Sequence, residues 1–95
     1  MYVYIVSFKV KEGEDITFIE LQKFEENTEA KPAGLDHFRI FKDRNDESRY
    51  FLIEYWNSKE EKDKMEVTED HQNFHKLRRL AIEKRYESYD CDLVV

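Results

Sequence analysis

An acid, an indole and two imidazoles fall close together in the second half of this chain. One residue separates Glu54 from Trp56, and three separate His71 from His75. A carboxylate among apolar residues is costly unless paired, and desolvation raises its pKa toward the range of a useful proton acceptor. Imidazole titrates near neutrality without such help. An indole can stack on a flat substrate. The set suits proton abstraction from an aromatic molecule bound against Trp56. Each residue also has a structural reading. Trp56 could seal a sheet–helix seam, Glu54 could anchor it through a salt bridge or backbone hydrogen bonds, and the histidines could face solvent. Histidines four apart share a helical face and recur in zinc sites. Here no Glu follows His71, and a third ligand would have to come from Glu54 or His37, so no metal site is expected.

Alternation and capping residues outline the elements that must position this set. Residues 2–10 read as a strand rich in β-branched and aromatic side chains. Tyr2, Tyr4, Val6, Phe8 and Val10 fall on one face, and Val3, Ile5, Ser7 and Lys9 on the other. Asp15 is placed to cap a helix over about 16–29 with Ile16, Phe18, Ile19, Leu21 and Phe24 as its apolar face. Lys31-Pro32-Ala33-Gly34 breaks it. Residues 35–42 and 50–57 form an antiparallel hairpin closed by a charged loop. His37 and Phe38 face opposite ways, with Phe38 favoured inward. Tyr50, Leu52, Glu54 and Trp56 share one face of the hairpin, and Phe51, Ile53 and Tyr55 the other. Ser58-Lys59-Glu60-Glu61 is a capping box that opens a short helix over about 59–66. Thr68 caps a longer one over about 69–84, with Phe74, Leu77, Arg78 and Ala81 on one stripe. Residues 86–95 read as a last strand, with Tyr89, Cys91, Leu93 and Val95 on one side.

The 95 residues make one domain, 1–95. The net charge of −6 repels phosphate backbones, so nucleic acid is not an expected partner. Lys76, Arg78, Arg79, Lys84 and Arg85 read as cations complementing a helix C-terminus. The single cysteine permits no internal disulfide and fits a reducing cytoplasm. Its neighbours Asp90 and Asp92 disfavour a reactive thiolate. The apolar N-terminal stretch is too short to span a bilayer and lacks the marks of a signal peptide. A cytoplasmic location without membrane contact is therefore expected.

The order β-α-β-β-α-β is the ferredoxin-like α+β arrangement, a four-stranded antiparallel sheet with helices on one face. The uncovered face of such a sheet ordinarily meets water and reads polar. Both faces of the first and third strands are apolar here. A second copy covering the open face resolves this, so a two-fold homodimer is expected.

The whole order resembles the antibiotic biosynthesis monooxygenase family of dimeric α/β barrels. Gly13-Glu14-Asp15 matches at the first helix, and Asn45-Asp46-Glu47-Ser48-Arg49-Tyr50 before the third strand. Leu52, Glu54 and Trp56 follow, then Ser58, Lys59 and Glu60, then Thr68, Glu69, Asp70, His71 and Phe74. Met65 stands where many relatives carry a histidine on the short helix, and Pro32-Ala33-Gly34 departs from their Pro-Gly turn. The resemblance implies a pocket between sheet and helices, and oxygenation of a small phenol or quinol by O2 without cofactor or metal. Glu54 or His71 would take the proton. Tyr4, Phe38, Trp56, Met65, Phe74 and His75 would bind the substrate. Relatives on this fold also bind and degrade haem, which would make His75 an axial ligand. A non-catalytic dimer that binds a small ligand is the third reading.

Overall fold

The apolar alternation of the N-terminal residues becomes the strand that takes two partners. In the computed structural model, which describes residues 1–27 and 32–95 and only the backbone of 25–27, β1 spans Tyr2–Val10 and α1 Asp15–Asn27. They are followed by β2 (Leu35–Lys42), β3 (Arg49–Trp56), α2 (Lys59–Glu66), α3 (Glu69–Ala81) and β4 (Ile82–Asp92). The strands form one antiparallel sheet in the order β2-β3-β1-β4. This is the ferredoxin-like α+β architecture, with α2 as a short additional helix. The expected continuation of the first helix to residue 29 and its break at Lys31 lie outside the described residues.

Strand register sets side chains in rows across the helix-covered face. Trp56 lies between Tyr2 and Leu35, Glu54 between Tyr4 and Phe38, Leu52 between Val6 and Ile40. The next row pairs Tyr50 with Phe8, and Phe18 of α1 lays its ring on both, with centroids 5.6 and 5.8 Å apart. Trp56, Phe8, Phe18, Leu52 and Val6 are among the most enclosed side chains. Burying such rings supplies most of the driving force of a small core. Tyr2 also donates to Asp90 on β4. Burial, together with that carboxylate, holds the Tyr2 hydroxyl above its usual pKa.

Two element ends and two helix faces differ from the sequence reading. Helix α3 stops at Ala81, because Ile82 is already extended and pairs with Val10, while Lys11 N donates to Ala81 O at 2.9 Å. Strand β4 stops at Asp92, the partner of Tyr2 at the start of β1, and one last backbone bond, from Leu93 N to Met1 O at 3.0 Å, closes that end. Leu93, Val94 and Val95 therefore lie beyond the ladder and are exposed. The apolar face of α1 is narrower than its sequence suggests. Phe18 and Gln22, four apart, are enclosed, while Ile16 and Phe24 are 71% and 63% exposed. Leu77 of α3, assigned to the core stripe, is also exposed, whereas Arg78 and Ala81 are buried.

Trp56→Ala removes the largest enclosed side chain. It should lower unfolding free energy by about 3–5 kcal/mol in urea titrations, and a loss below about 1 kcal/mol would contradict the placement of Trp56 in the core.

Candidate active site

Two caps build the corner on which the site rests. Ser58 Oγ accepts from Glu61 N at 3.3 Å and starts α2. Thr68 works in both directions. Its Oγ1 accepts from His71 N at 3.3 Å and donates to Met65 O at 2.8 Å. One hydroxyl thus ties the last turn of α2 to the first turn of α3 and brings Met65 and His71 to the same wall. Gly34 closes the corner from the other side. A Cβ there would fall 2.1 Å from Glu61 Cβ, so only glycine lets this segment lie against α2. Asn57 N donates to Gly34 O at 2.9 Å and fixes the approach.

Between α1, α2, α3 and the residues before β2 lies a cavity of about 750 Å³. Its wall is mostly apolar: Leu21 and Phe24 from α1, Pro32 and Ala33, Met65 from α2, Phe74 and Leu77 from α3. His71, with Asp70, Thr68 and Asn73, supplies polar groups at the start of α3. Glu61 and Lys64 of α2 add charged groups at its edge, and a cavity of this size with an apolar majority suits a small, largely apolar ligand that carries a polar group.

Of the residues singled out in the sequence, Met65, His71 and Phe74 meet at this cavity. Tyr4, Phe38, Glu54 and Trp56 do not line it. They form the sheet layer beside it. Trp56 is fully enclosed, and its Nε1 has no acceptor among the described residues. Glu54 and Phe38 are buried. The Tyr4 hydroxyl accepts from Arg85, and its ring lies under Lys62 Nζ at 4.0 Å. His37 is on the opposite sheet face, stacked on Tyr55 at 4.2 Å. Among the described residues no group of three His, Cys, Asp or Glu side chains is placed to hold a metal ion. Leu21, Phe24 and Leu77, which the sequence places on apolar helix faces, also line the cavity. Their spacing marks them as apolar helix positions, and that signal is the same whether such a residue faces a packed core or a hollow.

His75 sits one helical turn from His71, and the two rings meet edge to face at 4.2 Å. Arg78 Nη2 donates to His75 Nε2 at 3.4 Å, and Arg78 Nη1 donates to Gln22 Oε1 at 2.8 Å. Burial, then the Arg78 charge, pushes the His75 imidazole down to about 3. His75 is therefore neutral at physiological pH. Its folded-state pKa lies below the unfolded value near 6.5. The resulting stability is complete above pH 6.5 and is lost progressively as pH falls toward 3. His75→Gln, which keeps an acceptor for Arg78, should flatten the decline of the urea midpoint across that window. An unchanged decline would contradict the burial of a neutral imidazole.

A family model for antibiotic biosynthesis monooxygenases matches residues 1–77. No curated protein matches the chain. Solved structures share the fold at low identity. A candidate antibiotic biosynthesis monooxygenase from Bordetella bronchiseptica superposes with a TM-score of 0.84 at 16% identity, over 99% of this chain and 97% of that one. Another, from Chloroflexus aurantiacus J-10-fl, gives 0.81 at 18% identity over 99% and 93%. A third, from Nitrosomonas europaea, gives 0.80 at 19% identity over the full length of both. With the family model spanning β1 through most of α3 and the same fold around it, the chain belongs to the antibiotic biosynthesis monooxygenase family.

Proposed function

We propose that this protein is a monooxygenase that oxidises a small, electron-rich aromatic substrate, a phenol or quinol, with O2 and without metal or organic cofactor. The observation that carries the reading is an apolar cavity of about 750 Å³ with an imidazole, His71, on its wall. His71 takes the phenolic proton. Glu54, the other proton acceptor considered, belongs to the sheet layer and does not line the cavity. The phenolate passes one electron to O2, the radical pair closes a C–O bond at a ring carbon that bears hydrogen, and the peroxide takes the proton back from His71. Loss of water from the hydroperoxide leaves a carbonyl. One oxygen atom enters the product, the other leaves as water, and the substrate supplies all the electrons. The protein contributes orientation by Phe74 and Met65, the base, and a largely apolar wall against which the anion forms.

The same reading includes a homodimer built through the open sheet face. Ile5, Phe51, Ile53 and Tyr55 lie there only partly covered, with Phe41 and Tyr89 more than half exposed. An apolar sheet face is not stably left to water. Haem binding through His75 is not favoured, because its Nε2 already accepts from Arg78. No described helix is long and apolar enough to cross a membrane.

Oxygen uptake across a panel of quinols and polycyclic phenols should find at least one substrate. His71→Ala should then lower turnover about 10²–10⁴-fold, the range of a lost general base. No uptake across the panel, or uptake indifferent to His71, would overturn the chemistry. Sedimentation should give twice the 11.7 kDa chain mass, and Ile53→Lys should release monomer. A monodisperse single copy at micromolar concentration would overturn the dimer.

A further inference from the structure

Behind the cavity wall lies a buried cation that the proposed chemistry does not use. Arg78 is 8% exposed, deep for a guanidinium. It reaches the site through His75, the neighbour of His71, and directly at one wall residue. Nη2 donates to His75 Nε2, and the guanidinium carbon stands 5.4 Å from the centroid of the Phe74 ring, itself cavity wall. From below it rests on Phe8 at 4.9 Å, and Nη1 is tied to Oε1 of Gln22, a side chain closed to solvent.

We propose that Arg78 is a positioning residue of the cavity, holding the His75 imidazole in one tautomer beside His71 and the Phe74 ring in place on the wall. This rests on the reading of His71 as the base. Arginine has no acceptor, so His75 Nε2 must offer its lone pair to Nη2, and the ring proton sits on Nδ1. The neutral ring so held meets the edge of His71. When His71 takes the substrate proton, the imidazolium forms against a neutral neighbour and not against a second charged ring. Arg79 on α3 and Arg85 on β4 also bear on His75, as does His71 itself. These three are untouched by a change at Arg78, so the contribution of Arg78 can be isolated. Gln22 makes the arrangement rigid. Its enclosed amide oxygen anchors the guanidinium to α1 where water does not compete.

The test is a long-range ¹H–¹⁵N correlation spectrum of the histidine rings in the full chain, recorded against pH. In the native protein His75 should remain neutral in the Nδ1–H form down to about pH 5. Arg78→Met should mix the tautomers and raise the His75 titration by about one pH unit or more. Gln22→Leu, which keeps Arg78 but cuts its tether, should give the same change with smaller amplitude. It carries the test if Arg78→Met does not fold. An unchanged tautomer and titration in a folded variant would overturn the proposal. Oxygen uptake by the same variants separates the two claims. A changed spectrum without oxidation in any variant keeps the positioning role and removes the monooxygenase reading. An unchanged spectrum in an active enzyme removes the positioning role alone.

Discussion

The structure depends on a sheet whose two faces are both apolar. Its helix-side rows are closed by large rings, and Trp56, Phe8 and Leu52 reach essentially complete burial there. Polar backbone is already satisfied within the ladders, so the burial of these rings decides which side the helices take. The helices do not fill that side evenly. Phe18, in the first half of α1, packs onto Phe8 and Tyr50. Leu21 and Phe24, further along the same helix, face the cavity. One helix thus contributes to a packed core at one end and to a hollow wall at the other.

This division explains why the chemistry-bearing residues separate into two layers. Glu54, Phe38 and Trp56 are held by strand register, which is rigid and spaced along the sheet. Met65, His71 and Phe74 are held by the α2–α3 corner, whose geometry depends on the Thr68 hydroxyl. Arg78 links the layers, with Phe8 of the sheet on one side and Phe74 of the cavity wall on the other. A buried guanidinium is costly to desolvate. Here its hydrogen bonds and ring contacts offset part of that cost, and they also fix the geometry of the wall.

Much of this was legible in the residues themselves. Alternation identified every strand, and Ser58 and Thr68 announced the two helices that carry the site, because caps act locally and leave a local signature. The opposite facing of His37 and Phe38 followed from the period of two, which does not itself decide that Phe38 is the inward one, and Phe38 packs into the core rather than lining the cavity. The start of β4 was misread, since residues 82–85 carry a helical composition and are drawn into the ladder by pairing with β1, a tertiary effect. The cavity was legible only in part. His71, Met65 and Phe74 stood out through type and through family resemblance. Leu21, Phe24 and Leu77 looked like core because an apolar stripe does not reveal whether it faces atoms or space. In the Gln22–Arg78–His75 chain only the i, i+3 spacing of His75 and Arg78 on one helix is legible, since Gln22 lies 56 residues from Arg78 and meets it only in the folded state.

The central claim is that the space bounded by α1, α2 and α3, and not the open sheet face, receives a flat aromatic molecule. Methyl NMR of ¹³C-methionine-labelled protein titrated with a tricyclic phenol tests it most directly. The account predicts a saturable shift of the Met65 methyl, which lines the cavity, with Met1, which does not line it, unmoved. A Met65 resonance that stays fixed through the titration, while ring signals of Phe51 and Tyr89 on the open face respond in a second sample labelled at Phe and Tyr, would contradict it.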